Sequence, residues 1–167
     1  LFDYDKSEDY ALEKAFEHIG YDFNNNIRQL SDKIGQELWN EYEHGNILID
    51  SIGVEIFRRL LEHLSIYENS IMFNNQYMHY LSLSTHLTEN SLDICRTLSK
   101  YCSLIITTNG MGSIQTSRLM NSEIKQYIKH LVTSDDALSF KPSKDFFQYV
   151  FNRFNLNEEN KRDILLV

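Results

Sequence analysis

Polar side chains that could do chemistry follow three short apolar stretches of the sequence. Asp3 and Asp5, two residues apart, come directly after an apolar pair at the start of the chain. A second group follows the apolar run at 104–106, and a third follows an apolar run near residue 131. The second group is Thr108, Asn109 and Gly110, and the third is Ser134, Asp135 and Asp136, with Lys141 a few residues further on.

Together these residue types suit a divalent cation and a phosphate group. Carboxylate oxygens are ligands for Mg²⁺, turn amides and helix N-termini bind phosphate oxygens, and a lysine offsets the remaining negative charge. Each group alone has a simpler interpretation: a solvated turn, a strand exit, or a surface lysine before a proline. Their combination and order are what indicate a phosphate site.

The elements that must position these residues follow from hydrophobic periodicity. Short apolar runs predict buried strands at 103–108, 131–134 and 164–167, with Leu1-Phe2 as the end of a fourth. Helices are predicted at 91–100, 112–120 and 143–154, the last with one apolar face formed by Phe147, Val150, Phe151 and Phe154. Strands that alternate with helices favour a parallel α/β sheet, in which ligands bind at the carboxyl ends of the strands.

The stretch from 7 to 88 is different, because it contains helical patterns only. Gly20, Gly45 and Asn69 separate these patterns, and the whole has the size of a small helical bundle. Among its aromatic residues, Phe73, Tyr77 and Tyr80 have helical spacing, which leaves open a core position or a base-binding surface. The apolar stripes are Leu12, Ala15, Phe16 and Ile19; Ile27, Leu30, Ile34, Leu38 and Trp39; Ile52, Ile56, Leu60, Leu61 and Leu64; and a fourth within 72–83.

Composition narrows the class of protein. Of the 167 residues, 42% are hydrophobic, which is enough for a packed core, and the net charge of −8 argues against binding a nucleic acid polymer. No apolar run approaches the length of a membrane span, so no membrane partner is expected. Cys95 and Cys102 form no CxxC pair and are interpreted as free, buried thiols in a reducing cytoplasm.

The order of the polar groups resembles that of the haloacid dehalogenase (HAD) superfamily. Phe2-Asp3-Tyr4-Asp5 resembles its motif I, the segment 105–110 resembles motif II, and Lys141-Pro142 resembles motif III. The helical insertion between motifs I and II matches a C1 cap, and its segment 37–45 is similar to the branch of pyrimidine 5′-nucleotidases.

The resemblance implies a Rossmann-like parallel sheet core at 1–6 and 89–167, with an inserted helical-bundle cap at 7–88. It implies a Mg²⁺-dependent phosphomonoester hydrolase acting through an aspartyl-phosphate, with a nucleoside 5′-monophosphate or another small phosphorylated metabolite as substrate. Asp3 would be the nucleophile and Asp5 the acid/base; both would help to hold Mg²⁺, and an acid at the second position favours phosphate esters over carbon–halogen bonds. Thr108, Asn109 and Gly110 would bind the phosphoryl oxygens, and Lys141 would steady Asp3 and the charge of the transferred group.

Some features depart from the family pattern. A threonine is expected two residues after the second aspartate, where Ser7 stands, and Leu138 stands where glycine is frequent. The sequence begins and ends within apolar, strand-like segments, so we expect a longer native chain that carries residues after Asp5 and a fourth motif beyond Val167. A sugar-phosphate phosphatase or phosphomutase, and a phosphate-binding protein without catalysis, are the alternatives. A cytoplasmic monomer or homodimer is expected.

Overall fold

The computed structural model describes residues 1–156 and 160–167, which fall into two compact units. Unit 1 is Leu1–His86 and unit 2 is Leu87–Val167. Unit 1 is helical, while unit 2 contains a parallel sheet with helices, which confirms the α/β class. Residues 1–6, expected to join the core, lie in unit 1, and the division into core and cap stays a prediction.

The helices of unit 1 follow the predicted apolar stripes. They are α1 (Tyr4–His18), α2 (Asn25–Glu43), α3 (Ile52–His63) and α4 (Ser70–Leu83), with a 3₁₀ turn at Ile49–Ser51. The predicted punctuation is confirmed at each boundary. Gly20 and Gly45 follow α1 and α2 with φ of 76° and 73°, a conformation that glycine adopts at little cost. The side chain of Asn69 caps α4 by accepting from the backbone N–H groups of Ile71 and Met72.

The core of unit 1 is aromatic at its centre. The ring of Phe73 lies 5.0 Å, centroid to centroid, from those of both Phe16 and Phe57, and Phe57 lies 5.0 Å from Tyr77. Phe73 and Tyr77 are buried, and Tyr80 is partly buried against the same cluster, so the core interpretation of these aromatic residues is confirmed. Trp39 was wrongly placed in the buried stripe of α2.

Trp39 is 50% exposed because it lies on the outer side of α2, where its ring makes an edge contact with Tyr42 at 5.8 Å between centroids. The neighbouring Leu38 takes the fully buried position instead. Adjacent residues on a helix are separated by about 100°, so the two side chains cannot face the same core.

An ion-pair network joins α2 to α3 at the surface of unit 1. Arg59 donates through both terminal nitrogens to the Glu41 carboxylate of α2, at 2.7 and 3.0 Å. It also donates to Glu55, one helical turn away, and Glu55 accepts two further bonds from Arg58. These hydrogen bonds lower the pKa of Glu55 to about 2, and those from Arg58 have the largest effect. Partial burial of Glu55 acts in the opposite direction but is outweighed.

We therefore predict an acid-sensitive contribution of Glu55 to stability. A carboxyl whose pKa is lowered by folding stabilises the folded state above its unfolded pKa, and this contribution is lost as pH falls from about 4.5 to about 2. Because Arg58 is half exposed, Glu55→Gln is expected to cost only about 1 kcal/mol at pH 7. Urea unfolding at pH 7, 4 and 2.5 should show the difference shrinking with acidity, while exposed Glu68→Gln should show none. A constant difference across this range would contradict the network.

Unit 2 contains α5 (Ser91–Leu98), β1 (Leu104–Thr108), α6 (Gly112–Met120), β2 (Ile128–Thr133), α7 (Ser134–Ala137) and α8 (Lys144–Arg153), with 3₁₀ turns at Glu123–Tyr127 and Asn160–Asp163. In the described part of the chain, β1 and β2 form a two-stranded parallel sheet, in which Ile106 pairs with Leu131 and Thr108 with Thr133. The parallel arrangement of these two strands is confirmed.

Predictions for two strands and one helix of unit 2 need correction. The strand β2 begins at Ile128 and ends at Thr133, whereas a strand was predicted at 131–134. The prediction missed the first half of β2 because that half is largely exposed and carries no apolar run. Residues 164–167 form no strand in the described structure, although they are apolar. On α8 the fully buried residue is Phe146, while the four predicted apolar residues are only partly buried.

The two cysteines are both free but differ in environment. Cys95 is buried, which raises the pKa of its thiol, whereas Cys102 is exposed and was wrongly expected to be buried. Within the ranges that the structure describes, no helix combines the length and apolarity needed to cross a membrane.

Candidate phosphate-binding site

The parallel pairing of β1 and β2 places the polar groups that follow these strands at one edge of the sheet. Thr108 and Thr133, the last residues of the two strands, are register partners. The Ser134 hydroxyl, at the start of α7, donates to the carbonyl oxygen of Asn109 at 3.0 Å. The structure thus confirms that the groups after β1 and β2 come together.

Lys141 joins the same cluster, although it lies 32 residues from Asn109. The side-chain amide of Asn109 accepts from the Lys141 backbone N–H at 2.7 Å and donates to the Lys141 carbonyl at 3.0 Å. The Lys141 ammonium group donates to the carbonyl of Thr107 at 2.8 Å. The predicted motif II and motif III segments are therefore joined by direct hydrogen bonds, with a half-buried lysine at the end of β1.

The turn after β1 is closed by Thr108 and Gly110. The Gly110 backbone N–H donates to the Thr108 hydroxyl oxygen at 3.1 Å, which leaves the Thr108 proton available for donation. Binding a phosphate oxygen at the Gly110 amide would therefore require the amide to exchange this partner. The Gln115 side chain, from α6, covers Gly110 so closely that a Cβ at position 110 would lie 2.9 Å from its Cγ and Cδ.

We predict that Gly110→Ala disturbs this turn. The added methyl group must displace the whole Gln115 side chain and not only its tip, so we expect a loss of about 1–3 kcal/mol from overpacking. Chemical denaturation measures this directly. Gly35→Ala is the matched control: its Cβ would meet only Ile56 at 3.9 Å, and alanine in mid-helix should stabilise the protein. Equal effects of the two substitutions would show that Gln115 does not constrain the turn.

The N-terminus of α6 is already occupied by a protein carboxylate. Asp135 accepts from the Gly112 backbone N–H at 2.7 Å, and a Cβ on Gly112 would lie 3.2 Å from this carboxylate oxygen. A carboxylate here is favourable because it faces the positive end of the helix dipole. A helix N-terminus was expected to hold phosphate, but in this structure the Gly112 amide already donates to Asp135 and is not available to a phosphate oxygen.

Asp136 has a structural function as well. With Thr133 it forms a capping box at the start of α7, in which its carboxylate accepts from the Thr133 backbone N–H at 2.9 Å. This bond is the main cause of its lowered pKa. The Arg153 guanidinium nitrogen Nη1 lies 3.7 Å from Oδ1 of Asp136. Arg153, Asp135 and Asp136 all line an open cavity of about 420 Å³.

Asp3 and Asp5 occupy positions that the sequence interpretation did not anticipate. They were expected in a strand-to-loop turn, but Asp3 is the N-cap of α1 and Asp5 lies in its first turn. The Asp3 carboxylate accepts from the Lys6 backbone N–H at 3.1 Å and pairs with the Lys6 ammonium at 3.1 Å. The cause of the error is local: an aspartate before an amphipathic helix is also a strong N-cap signal.

The Asp3 carboxyl is held in its ionised form. The hydrogen bond from the Lys6 backbone is the largest cause that lowers its pKa, and the Lys6 side chain adds to it. Ser7, the residue suggested for the family's threonine position, is fully buried and donates from its hydroxyl to the Asp3 carbonyl. Ser7 thus reinforces the start of α1.

The donors for a metal ion fit Mg²⁺ in type but not in number. Carboxylate oxygens suit this cation, and Asp3 is only partly exposed, but both of its oxygens already interact with Lys6. Within 1–156 and 160–167, no group of three or more His, Cys, Asp or Glu side chains is placed to hold a metal ion. Within the described residues, Asp3 and Asp5 do not make up a metal centre.

Sequence reasoning missed the supporting roles of three residues. Ser134 and Asp135 were placed at the sheet edge without a function, and they bind the backbone of Asn109 and Gly112. Gln115 was not singled out, and it packs on the turn. The Thr-Ser-Asp-Asp sequence that begins with the last residue of β2 carried a capping signal that could have identified part of this arrangement.

Comparison with known proteins shows which proteins this chain is similar to. Residues 3–162 match the family model of haloacid dehalogenase-like hydrolases. The chain is 28% identical over 153 residues to YfnB of Bacillus subtilis, described as a HAD-hydrolase, covering 92% of this chain and 65% of that protein. It is 24% identical over 151 residues to the pyrimidine 5′-nucleotidase PynA of Streptococcus pneumoniae, covering 90% and 64%.

The fold comparison gives the same family. A crystal structure of YfnB bound to magnesium, which reveals interdomain movement in that protein, superposes with a TM-score of 0.84 at 28% identity, covering 91% of this chain and 67% of that chain. The chain spans slightly less than two thirds of the length of the curated relatives that it matches. Because the family model covers nearly all of the sequence, the protein belongs to the haloacid dehalogenase-like hydrolase family.

Proposed function

We propose that this protein hydrolyses phosphate monoesters, with a nucleoside 5′-monophosphate as the substrate class. The observation that carries the proposal is the pair of hydrogen bonds between the Asn109 side chain and Lys141, beside the turn that Thr108 and Gly110 close at the carboxyl end of β1. A hydroxyl, turn amides and a cation at one sheet edge are suited to a phosphoryl group. The similarity to PynA, named as a pyrimidine 5′-nucleotidase, supports the nucleotide class.

In this proposal the reaction has two steps. The Asp3 carboxylate attacks phosphorus, the P–O bond to the leaving group breaks, and Asp5 gives its proton to the departing alkoxide. Asp5 then takes a proton from water, which attacks the aspartyl-phosphate and releases inorganic phosphate and free Asp3. The capping contacts of Asp3 do not support this role, which rests on the family resemblance alone.

Mg²⁺ is part of the proposal as the cofactor, with Asp3 and Asp5 as its ligands in this segment. The magnesium in the YfnB structure supports it. A hard dication would offset the charge of the phosphate in a chain with net charge −8. We further propose a cytoplasmic monomer or homodimer that acts on a small phosphorylated metabolite.

A substrate panel tests the function. The full-length protein should release phosphate from p-nitrophenyl phosphate and from pyrimidine nucleoside monophosphates, and EDTA should abolish the activity until Mg²⁺ is restored. Faster turnover of hexose phosphates would support a sugar-phosphate phosphatase or phosphomutase instead. No turnover of any ester under Mg²⁺ would refute the proposed hydrolysis.

A second candidate is a phosphate-binding protein without catalysis. The observation that favours it is the placement of Asp3 as the N-cap of α1 and of Asp5 in its first turn, where carboxylates stabilise a helix. Isothermal titration with inorganic phosphate would separate the two candidates. Binding that depends on Lys141, in a sample that releases no phosphate from any ester, is the result expected for the second candidate alone.

A further inference from the structure

We propose that the side chain of Asn109 is a positioning residue for Lys141, an inference that rests on the proposed phosphate-ester chemistry. The Asn109 amide bonds the same residue twice, through its oxygen to the Lys141 N–H at 2.7 Å and through its nitrogen to the Lys141 carbonyl at 3.0 Å. A pair of bonds to both backbone groups of one residue fixes the place and the orientation of that residue.

The chemistry of this contact requires a carboxamide. Only asparagine and glutamine present a donor and an acceptor side by side on one planar group, and the shorter asparagine reaches across the turn directly. An aspartate would keep the acceptor for the Lys141 N–H but would bring a carboxylate against the Lys141 carbonyl oxygen. Alanine would leave both backbone groups to solvent.

Asn109 is itself anchored by a buried group. The hydroxyl of Ser134, which is 5% exposed, donates to the Asn109 carbonyl at 3.0 Å. Ser134 is the first residue of α7 and directly follows β2, so the bond ties the turn after β1 to the neighbouring strand. A continuous set of hydrogen bonds therefore runs from Ser134 through Asn109 to Lys141.

The contact matters for function because a lysine side chain is long and flexible. Fixing the backbone of Lys141 limits where its ammonium group can lie, and in this structure that group donates to the Thr107 carbonyl at 2.8 Å, at the end of β1. A cation fixed in advance at the place where a phosphate binds needs less rearrangement during the reaction. Asn109 thus acts on the charge of the site through Lys141.

The test combines kinetics with hydrogen exchange in the full-length protein. In Asn109→Ala we expect kcat for p-nitrophenyl phosphate to fall about 10- to 100-fold with KM little changed, because a misplaced group near the chemistry has effects of this size. The Lys141 backbone amide should exchange faster with solvent. Asn121→Ala, which removes the exposed side-chain amide of the residue that follows α6 in the same unit, should leave both quantities as in the wild type.

A double substitution shows whether Asn109 acts through Lys141. In a Lys141→Ala background, measured by single turnover, Asn109→Ala should lower the rate by less than about twofold further. A full additional loss in that background, or an unchanged kcat in Asn109→Ala, would overturn the proposal. If the wild type hydrolyses no phosphate ester, the proposed function fails, and exchange at Lys141 alone still decides whether Asn109 holds it.

Discussion

Replacing Lys141 with alanine is expected to lower kcat/KM for phosphate monoesters by about 100- to 1,000-fold, the usual effect of removing one charge-stabilising donor from an active site. The ammonium group lies at the carboxyl end of β1, against the Thr107 carbonyl, where a phosphoryl group would meet Thr108 and the turn. Steady-state kinetics with p-nitrophenyl phosphate measures the effect. Inorganic phosphate should also inhibit the variant more weakly, because the charge that holds the anion is gone.

Two control variants distinguish the loss of the positive charge of Lys141 from a disturbance of the fold. Lys144→Ala removes an exposed lysine three residues away, at the start of α8, and should leave the rate unchanged. Lys141→Arg keeps the positive charge but replaces a point charge by a planar group, so only part of the activity should return. If Lys141→Ala retained full activity with unchanged phosphate inhibition, Lys141 would be a surface lysine, and the site would need a different cation.

The helices of unit 1 were predictable because burial there has a strong period. The stripes of α1, α2 and α3 place an apolar residue on the same face at every turn, and glycine or asparagine marks the boundaries. Position 39 shows the limit of such a pattern. A tryptophan next to a core leucine extends the stripe in the sequence, while the helix turns it toward solvent.

The parallel sheet was predictable in kind but not in extent. β1 is a short apolar run followed by Asn-Gly, and its bounds differ from the prediction by one residue. The first half of β2 contains two exposed polar residues, Lys129 and His130, so hydrophobicity alone could not show where it begins. The apolar segment at 164–167 shows the converse: its residues are hydrophobic but form no strand in the described structure, since hydrophobicity alone does not supply the backbone hydrogen bonds that a strand requires.

The candidate phosphate site was also predictable only in part. That Thr108 and Lys141 would share a sheet edge followed from the order of strands. The double hydrogen bond of Asn109 did not, because it depends on how two loops 32 residues apart meet in the folded unit. Asp3 was misplaced because one sequence pattern has two meanings: an aspartate after apolar residues suits a strand end, and an aspartate before Tyr4–His18 suits a helix cap.

Asp3→Asn is the substitution that decides between these meanings. If Asp3 is the nucleophile, turnover should fall by about 10⁴-fold or more, because an amide cannot form the aspartyl-phosphate. The melting temperature should stay unchanged, because asparagine caps a helix as well as aspartate does. Asp3→Ala should be equally inactive but less stable, since it also loses the bond to the Lys6 backbone.

Peptide mapping of a rapidly quenched reaction gives independent evidence. A phosphorylated peptide containing Asp3 is expected in the wild type and absent in Asp3→Asn. The opposite pattern, in which Asp3→Asn keeps full activity while Asp3→Ala loses stability, would show that Asp3 serves only as the cap of α1. The nucleophile would then lie elsewhere, while the association of Thr108, Asn109 and Lys141 in unit 2 would still be a candidate phosphate site, because it does not depend on Asp3.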